Sequence, residues 1–162
     1  MNKVAYTVLA LIVIGSGIAQ GSPVQWSLSA GGNGHYYEAI LVPGEISWTE
    51  ADATAGSLAG DWHLATISSP QENAFVYDLA DDPSYWRFVG DHGLGPWIGG
   101  YKEERVWKWV TGEPFSYTNW GPREPFGNGD KIGLFGYYAL MGPYWNDAYD
   151  GHMPAGYVII RR

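Results

Sequence analysis

The stretch Trp97-Ile-Gly-Gly-Tyr-Lys-Glu-Glu-Arg-Val-Trp-Lys-Trp-Val-Thr-Gly-Glu113, WIGGYKEERVWKWVTGE, decides how this chain is read. It holds two short strand candidates, Trp97 to Gly100 and Arg105 to Val110, joined by a polar tip from Tyr101 to Arg105. Trp107 and Trp109 alternate with Lys108, a period of two that puts both rings on one face of a strand. Aromatics so placed are expected in the core, as are Trp97 and Ile98, because each buries a large apolar area. Glu103 and Glu104 at the tip read as a solvated turn rather than an acid–base pair. Beyond Val110 the periodicity stops and does not return until Lys131. A patternless segment of about twenty residues inside a compact domain is uncommon, and is usually functional where it occurs.

Upstream, His35 to Val42 is rich in aromatic and branched residues and ends at Pro43-Gly44, the pattern of a strand. Ser47-Trp-Thr-Glu50 follows as a capping box, with Ala51, Ala55, Leu58 and Ala59 at helical spacing and Gly60 as the stop. Ser69-Pro-Gln-Glu72 opens a second helix in the same way. Phe75, Val76 and Leu79 form its apolar face, and Asp81-Asp82-Pro83 ends it. Downstream, Lys131 to Phe135, Tyr137 to Met141 and Tyr157 to Ile160 are strand candidates. With no internal repeat and no linker, the chain reads as one α+β domain, helices first and a meandering sheet later.

The first residues, MNKVAYTVLALIVIGSGIAQG, place a lysine before an apolar run and small residues after it. That is the pattern of a secretory signal peptide, residues 1–21, shorter in its apolar run than the ~20 residues a membrane span needs. Residues 22–162 form the domain, which is expected to be secreted to the cell surface, the periplasm or the outside, with no span in the mature chain. There are no cysteines, so packing alone must hold it, and nine Trp, twelve Tyr and five Phe can supply that packing. A formal net charge of −8 with no basic cluster beyond Arg161-Arg162 argues against nucleic acid. An acidic, oxygen-rich surface suits hard cations such as calcium.

Several fragments then fall in one order: Ser47-Trp-Thr-Glu-Ala51, His63-Leu-Ala-Thr-Ile-Ser68, Glu72-Asn73, Trp97-Ile-Gly-Gly100, Trp107-Lys-Trp-Val-Thr-Gly-Glu113, Tyr117-Thr-Asn-Trp120, Glu124-Pro125, Trp145-Asn-Asp147 and Gly156-Tyr-Val158. In order and spacing they resemble the C-type lectin-like domain, in the cysteine-free form common among bacterial secreted proteins. The resemblance runs from about His35 to Ile160, nearly all of the mature chain. It implies a double-loop α+β fold, in which two helices flank a small antiparallel sheet and a long loop projects from it. In sugar-binding members a calcium ion sits in that loop. A Glu-Pro-Asn or Gln-Pro-Asp triplet, a later Glu and the Asn-Asp of the Trp-Asn-Asp motif hold the ion, and two vicinal sugar hydroxyls complete its shell. The proline of the triplet follows a cis bond.

On this pattern Glu124, Asn128, Asp130, Asn146 and Asp147 are the candidate calcium ligands. Glu124, Asn146 and Asp147 are also candidate sugar contacts, with Trp120 and Phe126 as stacking surfaces. Phe126 stands where the triplet has a carboxamide, so Asn128 is the substitute. Gly129 stands where the family has its later Glu, with Asp130 beside it. Read without the resemblance, Asn128-Gly-Asp130 is a turn sequence and Asn146-Asp147 could close one. The four histidines lack zinc spacing, and no nucleophile elbow or phosphate loop is present. A binding module is therefore expected, not an enzyme. One reading is a calcium-assisted lectin for glycans. The alternative is a calcium-independent domain that binds a surface protein or serves adhesion or structure. In either case, avidity would come from self-association into a homo-oligomer or from a partner.

Overall fold

The computed structural model describes residues 19–20, 22–152 and 154–162. The expected signal peptide lies outside the described residues, except for Ala19–Gln20. That pair is the first strand, β1. It is followed by β2 (Val24–Gln25), β3 (Tyr36–Leu41), α1 (Trp48–Ser57), β4 (His63–Leu64) and α2 (Pro70–Leu79). Then come β5 (Arg87–Val89), β6 (His92–Glu103), β7 (Val106–Trp109), β8 (Lys131–Tyr137), β9 (Tyr144–Ala148) and β10 (Gly156–Arg161). Among the described residues no helix is long and apolar enough to cross a membrane.

Ser47 caps α1 as expected: its hydroxyl accepts the Glu50 amide while the Glu50 carboxylate takes the Ser47 amide. The helix ends at Ser57, short of Gly60, because Leu58 turns to extended backbone. Gly60, at φ 108°, belongs to the turn beyond. Ser69 caps α2, but the box is not reciprocated. The Glu72 carboxylate is drawn inward instead, accepting from Tyr37 Oη, Asn33 Nδ2 and both the amide and hydroxyl of Ser68. A buried carboxylate needs its donors, and the core supplies more of them than the helix end does.

The sheet runs β1-β3-β10-β6-β8-β9, with β2 on β3, β4 on β10, and β5 and β7 on β6. It is larger than the small antiparallel sheet anticipated, and it is mixed, since β10 and β6 pair in parallel at Tyr157 and Trp97. Strand β10 is buried on both faces. Val158 and Ile160 enter one apolar cluster with Val76 of α2, and Tyr157 and Ile159 enter another with Trp48, Ala51 and Ala55 of α1. The alternation of a strand thus sends successive residues to two cores. Indole N–H groups tie the layers together: Trp48 donates to the Ile98 carbonyl, Trp97 to the Ile46 carbonyl and Trp145 to Asn73 Oδ1.

The quoted hairpin forms with a shorter tip than read: β6 pairs with β7 through Tyr101, Lys102 and Glu103, and the turn is confined to Glu104-Arg105. Trp97, Ile98 and Trp109 are buried, whereas Trp107 is half-buried and covered on one side by Lys102. Tyr137 to Met141 does not form the strand its composition suggests. The strand β8 ends at Tyr137, and Tyr138 and Ala139 take positive φ in a tight turn. The returning strand β9 instead carries Trp145-Asn146-Asp147, so those residues are not merely a closing turn.

Candidate functional site

The long segment from Val110 to Lys131 is attached to β9 in two halves. Its first half is seated on Trp145, which is fully buried inside a cage of Trp109, Phe115, Tyr117 and Trp120 at 5.5–6.4 Å between ring centres. Backbone bonds from Trp145 N to the Asn119 carbonyl and from Gly121 N to the Trp145 carbonyl fix the register. Trp120 is therefore part of the support, also packed at 4.9 Å on Trp107, and does not line the cleft beyond it.

The second half folds over Asp147. The amides of Phe126, Gly127 and Gly129 all donate to the Asp147 carboxylate, the last two at 2.9 Å. Gly129 is pressed against the β9 backbone: a Cβ there would lie 2.4 Å from the Ala148 nitrogen and 2.5 Å from the Asp147 carbonyl carbon. Only glycine fits in this conformation, so the acid expected of the family at this place has no room for its Cβ. The neighbouring Asp130 is turned outward, where its carboxylate meets Lys131 Nζ at 3.2 Å on the exposed surface. It stands apart from the other candidate ligands because its backbone is tied to Ala148 on one side and Lys102 on the other.

Glu124, Asn128, Asn146 and Asp147 do come together, as lining of a single cleft of about 620 Å³. The Glu124–Pro125 peptide is cis, as the resemblance implies. The Phe126 amide donates to both Glu124 Oε2 and Asp147 Oδ1, which sets the two carboxylates side by side. Burial first, then the shared bond with that second carboxylate, push the Glu124 carboxyl up to about 7, against the opposing pull of the Phe126 amide. Among the described residues no group of three or more acidic, histidine or cysteine side chains converges on one point. A cation here would therefore draw on two carboxylates, the carboxamides of Asn128 and Asn146, backbone oxygens and water. Phe126 stands at the rim, 73% exposed.

The cleft also contains residues that the sequence did not bring forward. Arg87, His92, Arg123, Tyr137, Tyr149 and His152 line it from four separate segments. The His152 ring is held toward its neutral form by burial and by the nearby charges of Arg87 and His92. These residues are scattered along the chain without any motif spacing, so only the fold reveals them.

No family model matches the chain. A protein named as a lectin from Pleurodeles waltl is 30% identical over 153 residues, covering 86% of this chain and 83% of that protein. C-type mannose receptor 2 of Mus musculus is 30% identical over 82 residues, but this chain spans only 5% of that much longer protein. Among solved structures, the C-type carbohydrate-recognition domain of cow CD23, determined in the presence of a GlcNAc2Man3 oligosaccharide, superposes with a TM-score of 0.55 at 26% identity. The match covers 78% of this chain and 87% of that one. The Ca2+-independent C-type lectin SPL-2 from Saxidomus purpuratus has the same fold at a TM-score of 0.57 and 22% identity, over 76% and 85% of the two chains.

Proposed function

Because this chain belongs to the C-type lectin-like family, we propose that it is a secreted carbohydrate-binding module whose ligand enters the cleft between the long loop and β9. The observation that carries this reading is that Glu124, Asn128, Asn146 and Asp147 line one open cleft. Carboxylate and carboxamide groups lining one cleft can accept from and donate to sugar hydroxyls. Phe126, exposed at the rim, offers a face for the apolar side of a ring.

The donor set fits a calcium ion by its chemistry, since calcium accepts carboxylate, carboxamide and backbone oxygens in a flexible shell. Two carboxylates that share one amide donor, one of them raised to about 7, form a pair short of positive charge. Glu124, Asn128, Asn146 and Asp147 would hold the ion, and its role would be to bind vicinal sugar hydroxyls directly. Against it stand the three amides already on Asp147. Binding must displace some of them, which predicts weak affinity, on the order of the 10⁻⁴–10⁻³ M of extracellular modules. The same clasp favours a second reading, in which the loop is ordered without metal and the module binds its glycan, or a surface protein, independently of calcium.

A melting curve taken with millimolar calcium and again with chelator separates the two readings, because a ligand held only by the native state must raise the melting temperature. A glycan array run in both conditions then tests the sugar. Binding abolished by chelator supports the calcium lectin, and binding retained supports the calcium-independent one. An array blank in both conditions refutes glycan binding.

A further inference from the structure

A second groove, of about 570 Å³, lies beside the cleft and shares Pro122, Arg123 and Tyr137 with it. Its other walls include Tyr138, Leu140 and Tyr144, and Tyr138 is 85% exposed. The ridge between the two spaces is held by a hydrogen bond and a close backbone approach. Tyr137 Oη donates to the Pro122 carbonyl at 2.6 Å, and a Cβ on Gly121 would lie 2.7 Å from that same oxygen.

Two residues on this groove have backbone conformations that their side chains disfavour. Gly121-Pro122-Arg123-Glu124 is a tight turn closed by the Glu124 amide on the Gly121 carbonyl, with Arg123 third at φ 73°. Proline second and positive φ third is the type II pattern, whose third place suits glycine. Tyr138 sits at φ 58° in the next turn, closed by the Leu140 amide on the Tyr137 carbonyl. Bulky residues in left-handed backbone are rare, and where they persist they cluster at functional sites. Both side chains border the same groove, and neither is needed to make its turn. Arg123 also makes no ion pair among the described residues, whereas Arg87 is paired with Glu45.

From these features we infer that the ligand is an acidic oligosaccharide, not a single neutral sugar. One unit occupies the cleft, the guanidinium of Arg123 takes the carboxylate or sulfate at the ridge, and the next unit stacks on Tyr138 and Tyr144 in the groove. The inference rests on the glycan reading above and names its ligand class. An arginine presents paired donors that match either anion, and an exposed tyrosine matches the apolar face of a sugar ring. In a chain of net charge −8, an arginine on a binding ridge that makes no ion pair among the described residues keeps its guanidinium donors free for an anion.

The test is titration of the intact protein with matched oligosaccharides that are neutral, uronate-bearing or sulfated, at low and high salt. The acidic chains should bind about tenfold more tightly than the neutral one, the preference shrinking with salt. The two acidic arms show which anion is preferred. Arg123→Gly should erase the preference, bringing the acidic chains down to the affinity of the neutral one. It should also hold or raise the melting temperature, since glycine suits the turn. Tyr138→Ala should erase the gain of the longer chain over its terminal unit. Equal affinity for neutral and acidic chains overturns the inference and leaves the glycan reading standing. No affinity for any sugar overturns both. A lost preference in Arg123→Gly accompanied by a lower melting temperature assigns the residue to folding, and also overturns it.

Discussion

Gly129→Ala tests whether the long loop is fastened to β9 by close backbone approach. The new methyl would lie 2.4–2.5 Å from three backbone atoms of Asp147 and Ala148, with no flexible side chain to yield. The loop must retreat by about 1 Å, stretching the Gly129 amide from 2.9 Å to beyond hydrogen-bond range of Asp147 Oδ2. Overpacking of this kind costs about 1–3 kcal/mol and loss of a bond to a charged acceptor a similar amount. If part of that is relieved by the shift, the net is about 2–4 kcal/mol, or roughly 6–15 °C in melting temperature for a domain of this size. Gly127→Ala is the control. At φ 93°, with nothing within 4 Å of its Cβ, it should cost only the left-handed backbone strain, about 1 kcal/mol. Thermal melting gives the totals, and amide exchange at Phe126, Gly127 and Gly129 locates them. If Gly129→Ala melts within about 1 °C of the parent and those amides stay protected, the clasp is not what holds the loop.

Glu72→Gln should lower stability by about 2–4 kcal/mol in urea titration, because one of its two oxygens, surrounded by donors from Tyr37, Asn33 and Ser68, becomes an amide that repels them. Glu38→Gln should do the reverse. Glu38 is buried on β3 with Oε1 unpartnered among the described residues, and burial raises its carboxyl above the ordinary range. Its folded form holds the proton more tightly than the unfolded chain, so it costs stability as pH rises. The variant should gain about 1 kcal/mol at pH 8 and nothing near pH 4. Glu124, raised from 4.5 to about 7, gives a third pH signature. Without metal, stability should fall as pH rises between those values and level off above. Calcium and the proton compete for the same carboxyl, so the calcium-induced rise in melting temperature should be larger at pH 8 than at pH 6.

How much of this was legible in the sequence follows from the range of each interaction. The capping residues Ser47 and Ser69 act within one turn, and both helices begin where they say. The paired tryptophans of β7 and the Trp-Ile-Gly-Gly of β6 follow the two-residue period, which local sequence records directly. Glu72 looked like the end of a box but serves a partner 35 residues away, Tyr37. Nothing local separates those two fates of a glutamate. The Tyr137 to Met141 error has the same origin: its aromatics suit a strand, but the chain must reverse there so that β9 can bring Trp145 beneath the loop. At the site, Glu124, Asn128, Asn146 and Asp147 were legible from the family pattern. Asp130 stands beside the family's later acid in the pattern, but its carboxylate faces Lys131 on the surface, a pairing that the pattern does not record. Arg123, His92, Tyr149 and His152 carried no signal, because what joins them is the packing of separate segments around one cleft.

The two halves of the long loop explain why a reduced donor set can coexist with an ordered cleft. In a loop held open by metal alone, loss of one acid would leave the backbone amides around the vacancy without partners. Here Gly129 lets the loop lie close on β9, where the amides of residues 126, 127 and 129 find the Asp147 carboxylate. The aromatic cage around Trp145 fixes the other half whatever happens at Asp147. Cleft shape is thus set mainly by the cage and the clasp, and Glu124 is left as the one carboxylate beside Asp147 with a proton to exchange near neutral pH. Under the proposed function, that proton and a weakly held cation are alternative ways of neutralising the same pair. The shape that receives a sugar then persists through both, and the charge that it meets does not.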